Sequence, residues 1–186
     1  GNELILNGYA SWVYYEEILG RSSKYKAFWW SPDSKKIGFY RFDNTEVPVF
    51  PIYSAYGKDY AGHSSYPLPS PPGSPSPKVT NMGLGGSLSE TRYPKCGQTN
   101  PQVRIGVVDL EEILRFAQDD RGTQDDRGTQ DDTIVWADFD ETEDQYFGIP
   151  FWGKDSKEFF IARMPRLQNT IDLYAVSAND GSKRHV

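Results

Sequence analysis

An all-β chain, built from short antiparallel strands and tight turns, is what these 186 residues predict. Three observations point there. Short apolar or alternating runs recur at 27–31, 36–42, 103–109, 133–138, 148–152, 158–163 and 172–177, each bounded by turn residues. Long segments of helical period are missing; the one helical candidate is a turn or two at 14–19. Aromatic residues make up 15% of the chain, and rings suit the pleated faces of sheets.

The first strand pair follows directly from residue types. Phe28-Trp29-Trp30 is an aromatic strand that stops at Ser31-Pro32-Asp33. Pro32 pre-sets φ for the second position of a β-turn, and Asp33 can bond backbone amides there. Lys36-Ile37-Gly38-Phe39 then resumes an apolar strand. The same order returns as Pro150-Phe151-Trp152, the polar turn Gly153-Lys154-Asp155-Ser156, and Glu158-Phe159-Phe160. Asn179-Asp180-Gly181 makes a third hairpin-type turn after 172–177. Repeated hairpins of this size are the unit of a propeller blade. A β-sandwich also contains several hairpins, so these residues alone leave both architectures open.

Two segments break the pattern. Residues 64–88 are rich in Pro, Gly and Ser, a composition that favours polyproline II and open coil. The PxxP spacing of Pro69 and Pro72 has the form of an SH3-type ligand; a plain disordered insertion is the reading adopted. Residues 112–132 carry the hexapeptide Asp119-Asp120-Arg121-Gly122-Thr123-Gln124, repeated from Asp125 to Gln130. That stretch is too polar to bury a core and reads as a solvated, disordered insertion. Without both segments about 140 residues remain, roughly three blades at ~45 residues each. Closed propellers need about four or more, so the expectation is an arc.

Bulk properties exclude several classes. A net charge of −6 argues against a nucleic-acid surface. No apolar run approaches the roughly 20 residues that span a bilayer. One cysteine, Cys96, cannot form an intrachain disulfide. The start, Gly1-Asn2-Glu3-Leu4, lacks an initiator Met and reads as the interior of a longer protein. No cofactor or metal is expected: the acidic run 138–144 has Glu143 where a calcium loop needs Gly. No Gly-x-Ser-x-Gly nucleophile elbow is present, and His63 and His185 have no credible role as a base.

The candidate site is Glu16-Glu17, preceded by Trp12-Val13-Tyr14. Adjacent carboxylates repel, so a fold that holds them together gains from a bound cation. An α-ammonium, with a pKa near ~8, is largely charged at neutral pH and offers three donors to such a pair. Neighbouring side chains on a regular helix diverge by roughly 100°. Convergence on one amine therefore needs an irregular or single-turn element, which Gly8 and Gly20 could flank.

The chain resembles the N-terminal propeller domain of the dipeptidyl peptidase IV family. The resemblance rests on Trp12-Val13-Tyr14, Glu16-Glu17, Phe28 to Asp33, Phe42-Asp43, Glu46-Val47-Pro48, Tyr93-Pro94-Lys95, Gly97, Asn100-Pro101 and Asp172-Leu173-Tyr174. It implies an all-β partial β-propeller of about three blades, with a short helical excursion at 14–19 and both insertions within one domain, 1–186. It further implies that Glu16 and Glu17 bind the amino terminus of peptide substrates with Pro or Ala as second residue. The serine-type release of dipeptides would fall to an α/β-hydrolase domain outside these residues. The family further suggests an extracytoplasmic enzyme, often a homodimer. Ser11 stands where the family usually has Asp, and Tyr15 where it has a third Glu. The alternatives are a non-catalytic propeller-type interaction module and a non-functional gene remnant.

Overall fold

The structure, a computed structural model, describes residues 4–54, 78–81, 86–119 and 133–186. Its strands are β1 (Ile5–Asn7), β2 (Phe28–Trp30), β3 (Lys36–Asp43), β4 (Val49–Ser54), β5 (Lys78–Asn81), β6 (Ser87–Arg92) and β7 (Gln102–Asp109). They continue with β8 (Ile134–Trp136), β9 (Gln145–Phe147), β10 (Phe151–Trp152), β11 (Glu158–Pro165), β12 (Asp172–Ser177) and β13 (Lys183–His185). One α-helix, α1, spans Leu110–Asp119. All strand pairs are antiparallel, in three sheets. This is the open, blade-type β architecture that the sequence predicts.

Two sheets share one plan. In the first, β1 and β2 both pair with β3, which pairs with β7, which pairs with β8. In the second, β9 and β10 both pair with β11, followed by β12 and β13. Each sheet therefore has four strand positions, with the strand at one edge broken into two pieces. The repeat read from the sequence extends to individual hydrogen bonds. Ser31 N–H donates to Lys36 C=O at 2.9 Å, and Gly153 N–H donates to Glu158 C=O at 2.9 Å. Asp33 Oδ1 accepts the Lys35 amide at 3.1 Å, and Asp155 Oδ1 accepts the Lys157 amide at 3.2 Å. Ser34 and Ser156 both take a left-handed conformation, with φ 61° and 60°.

The core lies between these two sheets. Tyr40, Phe42, Val103 and Ile105 from the first meet Phe147, Phe159, Ile161 and Val176 from the second. Alternation on β3 and β11 sends these residues to the shared face, as period 2 requires. Gly38 is necessary there: a Cβ at that position would sit 2.7 Å from Phe159 Cζ. Polar ties cross the same seam. Trp152 Nε1–H donates to Trp29 C=O at 3.0 Å, and Tyr40 O–H donates to Gly148 C=O at 2.6 Å.

The third sheet has the order β4-β6-β5 and departs from residues 44–101, between β3 and β7. It shows that the upper end of the first expected insertion is ordered: 78–81 and 87–88 are in strands, with Lys78 to Asn81 paired to Glu90 to Ser87. β-branched Val79 and Thr80 suit an extended chain, a preference masked in sequence by the prolines before them. Pro51 is tolerated because β4 is an edge strand. The PxxP stretch and His63 lie outside the described residues.

The second expected insertion starts as a helix rather than as disordered chain, because α1 occupies its first residues. Leu110, Ile113 and Leu114 stand at helical spacing, and Glu111 and Glu112 fill the first turn. Asp109 Oδ1 accepts the Glu111 amide at 2.9 Å, so a side chain satisfies one of the amides that a helix start leaves unpaired. Burial alone would raise the Asp109 carboxyl, yet the Glu111 amide and Lys36 hold it below its ordinary range. The polar hexapeptide dominated that window in sequence; its residues beyond Asp119 lie outside the described ones.

Candidate functional site

The break in the first sheet's edge strand carries the candidate site. After Asn7 the chain leaves the strand line and rejoins it at Phe28. The two ends are stitched at Tyr40: Gly8 N–H donates to Tyr40 C=O at 2.9 Å, and Tyr40 N–H donates to Ala27 C=O at 2.9 Å. Ala27 N–H closes the neck on Gly8 C=O at 3.0 Å, and Ala10 N–H donates to Tyr25 C=O at 2.8 Å. Gly8, with φ 66°, makes the exit turn that a side chain would strain. In the second sheet Gly148 holds the equivalent place, its amide on Ala162 C=O at 2.9 Å, and only Gly148-Ile149-Pro150 separate β9 from β10. The first sheet thus displays a long excursion where its twin makes a short bulge.

At the tip lies a single π-helical turn, Tyr14–Ile18, closed by Leu19 N–H on Tyr14 C=O at 2.7 Å. This is the irregular element expected at 14–19. Its wider turn brings consecutive side chains closer in angle than an α-helix does. Glu16 and Glu17 are consecutive on it. Glu16 is half-buried and Glu17 exposed.

Two aromatic anchors fix the turn. Tyr14 is fully buried, and its hydroxyl accepts the Phe147 amide of β9 at 3.0 Å. Its ring lies 4.7 Å from Phe42. Burial pushes the Tyr14 phenol well above its ordinary range, so it stays protonated. On the other side, Tyr15 stacks on Tyr25 at 3.7 Å, and Tyr25 stacks on Tyr9 at 4.9 Å. Tyr25 carries φ 65°, an uncommon conformation for a bulky residue that this double stacking offsets. Tyr15 therefore belongs to the packing of the excursion. Ser11 Oγ is buried without a hydrogen-bond partner among the described residues.

The site's own cation is Arg21, from the short 3-10 turn Arg21–Ser23 that follows Gly20. Arg21 Nε donates to Glu16 Oε2 at 2.8 Å, and Nη2 pairs with Oε1 of the same carboxylate. Sequence reading names Arg21, Lys24 and Lys26 as neighbours but assigns none of them this role. The five-residue spacing of Glu16 and Arg21 is the signal available. The result is one carboxylate held in a guanidinium fork beside one exposed carboxylate, an arrangement suited to binding a cation by charge-assisted hydrogen bonds.

The acidic residues of the 138–144 run are engaged elsewhere. Asp140 accepts the Thr142 hydroxyl at 2.6 Å, which holds its carboxyl below the ordinary range. Glu141 pairs with Arg104, Glu143 with Arg163, and Asp144 with Arg166. His185 lies 3.3 Å from Asp172 at the rim of β13. Trp29 packs on Tyr40 at 5.0 Å, whereas Trp30 is half-exposed.

Comparison with known proteins bears on the whole chain. The description "Dipeptidyl peptidase IV (DPP IV) N-terminal region" matches residues 1–84 and 85–186. "Probable dipeptidyl-aminopeptidase B" of Talaromyces marneffei is 30% identical over 137 residues, covering 74% of this chain and 13% of that protein. "Prolyl endopeptidase FAP" of Bos taurus is 36% identical over 105 residues, covering 56% of this chain and 10% of the relative. The crystal structure of Porphyromonas gingivalis dipeptidyl peptidase 4 superposes with a TM-score of 0.61 at 21% identity, covering 99% of this chain and 19% of that one. The chain spans about one eighth of the length of the curated relatives it matches.

Proposed function

The chain belongs to the dipeptidyl peptidase IV family, within its N-terminal region, and on that premise we propose that Glu16 and Glu17 anchor the amino terminus of a peptide substrate. The observation that supports this reading is the π turn: it carries Glu16 and Glu17 as consecutive residues on an excursion pinned by Tyr14 and Tyr15. The α-ammonium supplies three donors; exposed Glu17 receives it first, and the free lone pairs of Glu16 complete the grip. A chain continuing beyond the amine would clash with the pair, so the anchor measures two residues to the scissile bond. Its contribution is positioning; bond cleavage belongs to a Ser-Asp-His hydrolase domain outside these residues.

We read 64–88 and 112–132 as insertions within this domain. The twin sheets support that for the second: five residues join β12 to β13, whereas twenty-four separate β7 from β8.

The test is kinetic. In an enzyme that joins this region to its hydrolase domain, Glu16→Gln and Glu17→Gln each lower kcat/KM on dipeptidyl substrates about tenfold to a hundredfold, the loss of a charge-assisted bond worth about 1.5–3 kcal/mol. Unchanged kinetics in both variants refutes the reading.

A further inference from the structure

A second charged cluster lies on the face of the first sheet that points away from the shared core. Arg41 of β3 and Arg104 of β7 stand directly opposite each other in the ladder. Like charges at directly opposed positions destabilise a sheet unless something compensates. The twin sheet shows the contrast, because the same register position there pairs Arg163 with Asp172. Arg163 is also satisfied by Gln145 Oε1 at 2.6 Å and by Glu143.

Compensation in the first sheet is incomplete. Arg104 Nε pairs with Glu141 at 3.0 Å, and its guanidinium lies 4.1 Å over the Trp136 ring. Arg41 approaches the same ring at 5.8 Å, but its guanidinium has no ion pair or hydrogen bond among the described residues. Asp43, two residues along, spends one carboxylate oxygen on the Thr45 amide at 2.8 Å. Arg41, Asp43, Gln102, Arg104 and Glu141 line a cavity of about 230 Å³. That is smaller than the ~300–1,000 Å³ of sites for drug-sized ligands, and it suits a small ion.

We propose that this cavity binds a small oxyanion, a carboxylate or phosphate group, through the forks of Arg41 and Arg104 over Trp136. A guanidinium offers paired, coplanar N–H donors that match two oxygens of such a group. The anion supplies to Arg41 the negative charge that Glu143 supplies to Arg163 in the twin sheet. The site is separate from the Glu16-Glu17 anchor and stands or falls independently of it.

The experiment follows the arginine Nε–H signals of the full 186-residue chain by NMR during titration with sodium acetate, inorganic phosphate or neutral acetamide at constant ionic strength. The expected result is saturable movement of Arg41 and Arg104 with at least one anion and none with acetamide. Arg163 stays still as the internal reference. Acetate and phosphate in parallel decide which oxyanion fits. Arg41→Gln weakens binding about tenfold or more, and Arg41→Lys falls between, keeping the charge without the fork. Linear, unsaturated shifts, equal movement of Arg163, or unchanged affinity in folded Arg41→Gln overturns the proposal. If Arg41→Gln does not fold, Arg104→Gln is read by the same criteria.

Discussion

The Tyr14 hydroxyl accepts the Phe147 amide at 3.0 Å, a bond between the tip of one sheet's excursion and the free edge of the next sheet. Both residues are fully buried. Through this bond the candidate anchor is held to the seam between the blades as well as to its own stem. Tyr14→Phe keeps the ring and strands the Phe147 N–H. The expected cost is about 1–3 kcal/mol in urea unfolding, with faster hydrogen exchange at Phe147. Unchanged exchange there would show that the bond holds nothing.

Ser11→Ala supplies the opposite sign nearby. Its Oγ is buried and has no partner among the described residues, so deleting it removes a desolvated group without breaking a bond seen there. Stability should stay the same or rise by up to about 1 kcal/mol. A clear loss would mean that the hydroxyl has a role that the packing does not reveal.

Alkaline pH should loosen the same seam. Burial raises the phenols of Tyr14 and Tyr40 above their ordinary value of 10.0. Below pH 10 both states hold the proton and stability is level. Above it the unfolded chain ionises while the folded one does not, so stability falls as pH rises, by about 1.4 kcal/mol per unit for each tyrosine. Urea midpoints between pH 9 and pH 11 should show the decline, and Tyr14→Phe should make it shallower. A flat profile would contradict the burial of these phenols.

Gly38→Ala tests the blade seam from the other side. Its new methyl would meet the Phe159 ring, which cannot withdraw because Trp152 packs on it at 4.9 Å. Overpacking of this kind costs about 1–3 kcal/mol. A melting temperature equal to that of the unaltered chain would show that the two sheets do not press together there.

Much of this architecture is legible in the residues. Phe28 to Gly38 and Pro150 to Phe160 announce their shared hairpin, because Pro32, Asp33 and Asp155 are turn residues with a local mechanism. The other pieces of the broken edge strands are not legible, since β1 and β9 are three residues long and pairing with β3 and β11 defines them. Helix α1 hides beside a polar repeat, and β5 follows a proline tract. At the site, Glu16 and Glu17 stand out by sequence and by resemblance. Tyr14 and Tyr25 do not, because their roles depend on Phe147 and on the stack with Tyr9 and Tyr15. Arg21 is visible only as one of three nearby cations until the turn brings it to Glu16.

The most direct test of the amine anchor is the interaction of the 186-residue chain with Ala-Pro-amide, followed at the Glu16 and Glu17 side-chain carboxyl signals by NMR. The anchor predicts saturable shifts at both carboxyls. It predicts their loss when the probe's amino group is acetylated, and at least about tenfold weaker binding in Glu17→Gln. Equal response to the free and acetylated peptide, or no response at either carboxyl, would contradict it.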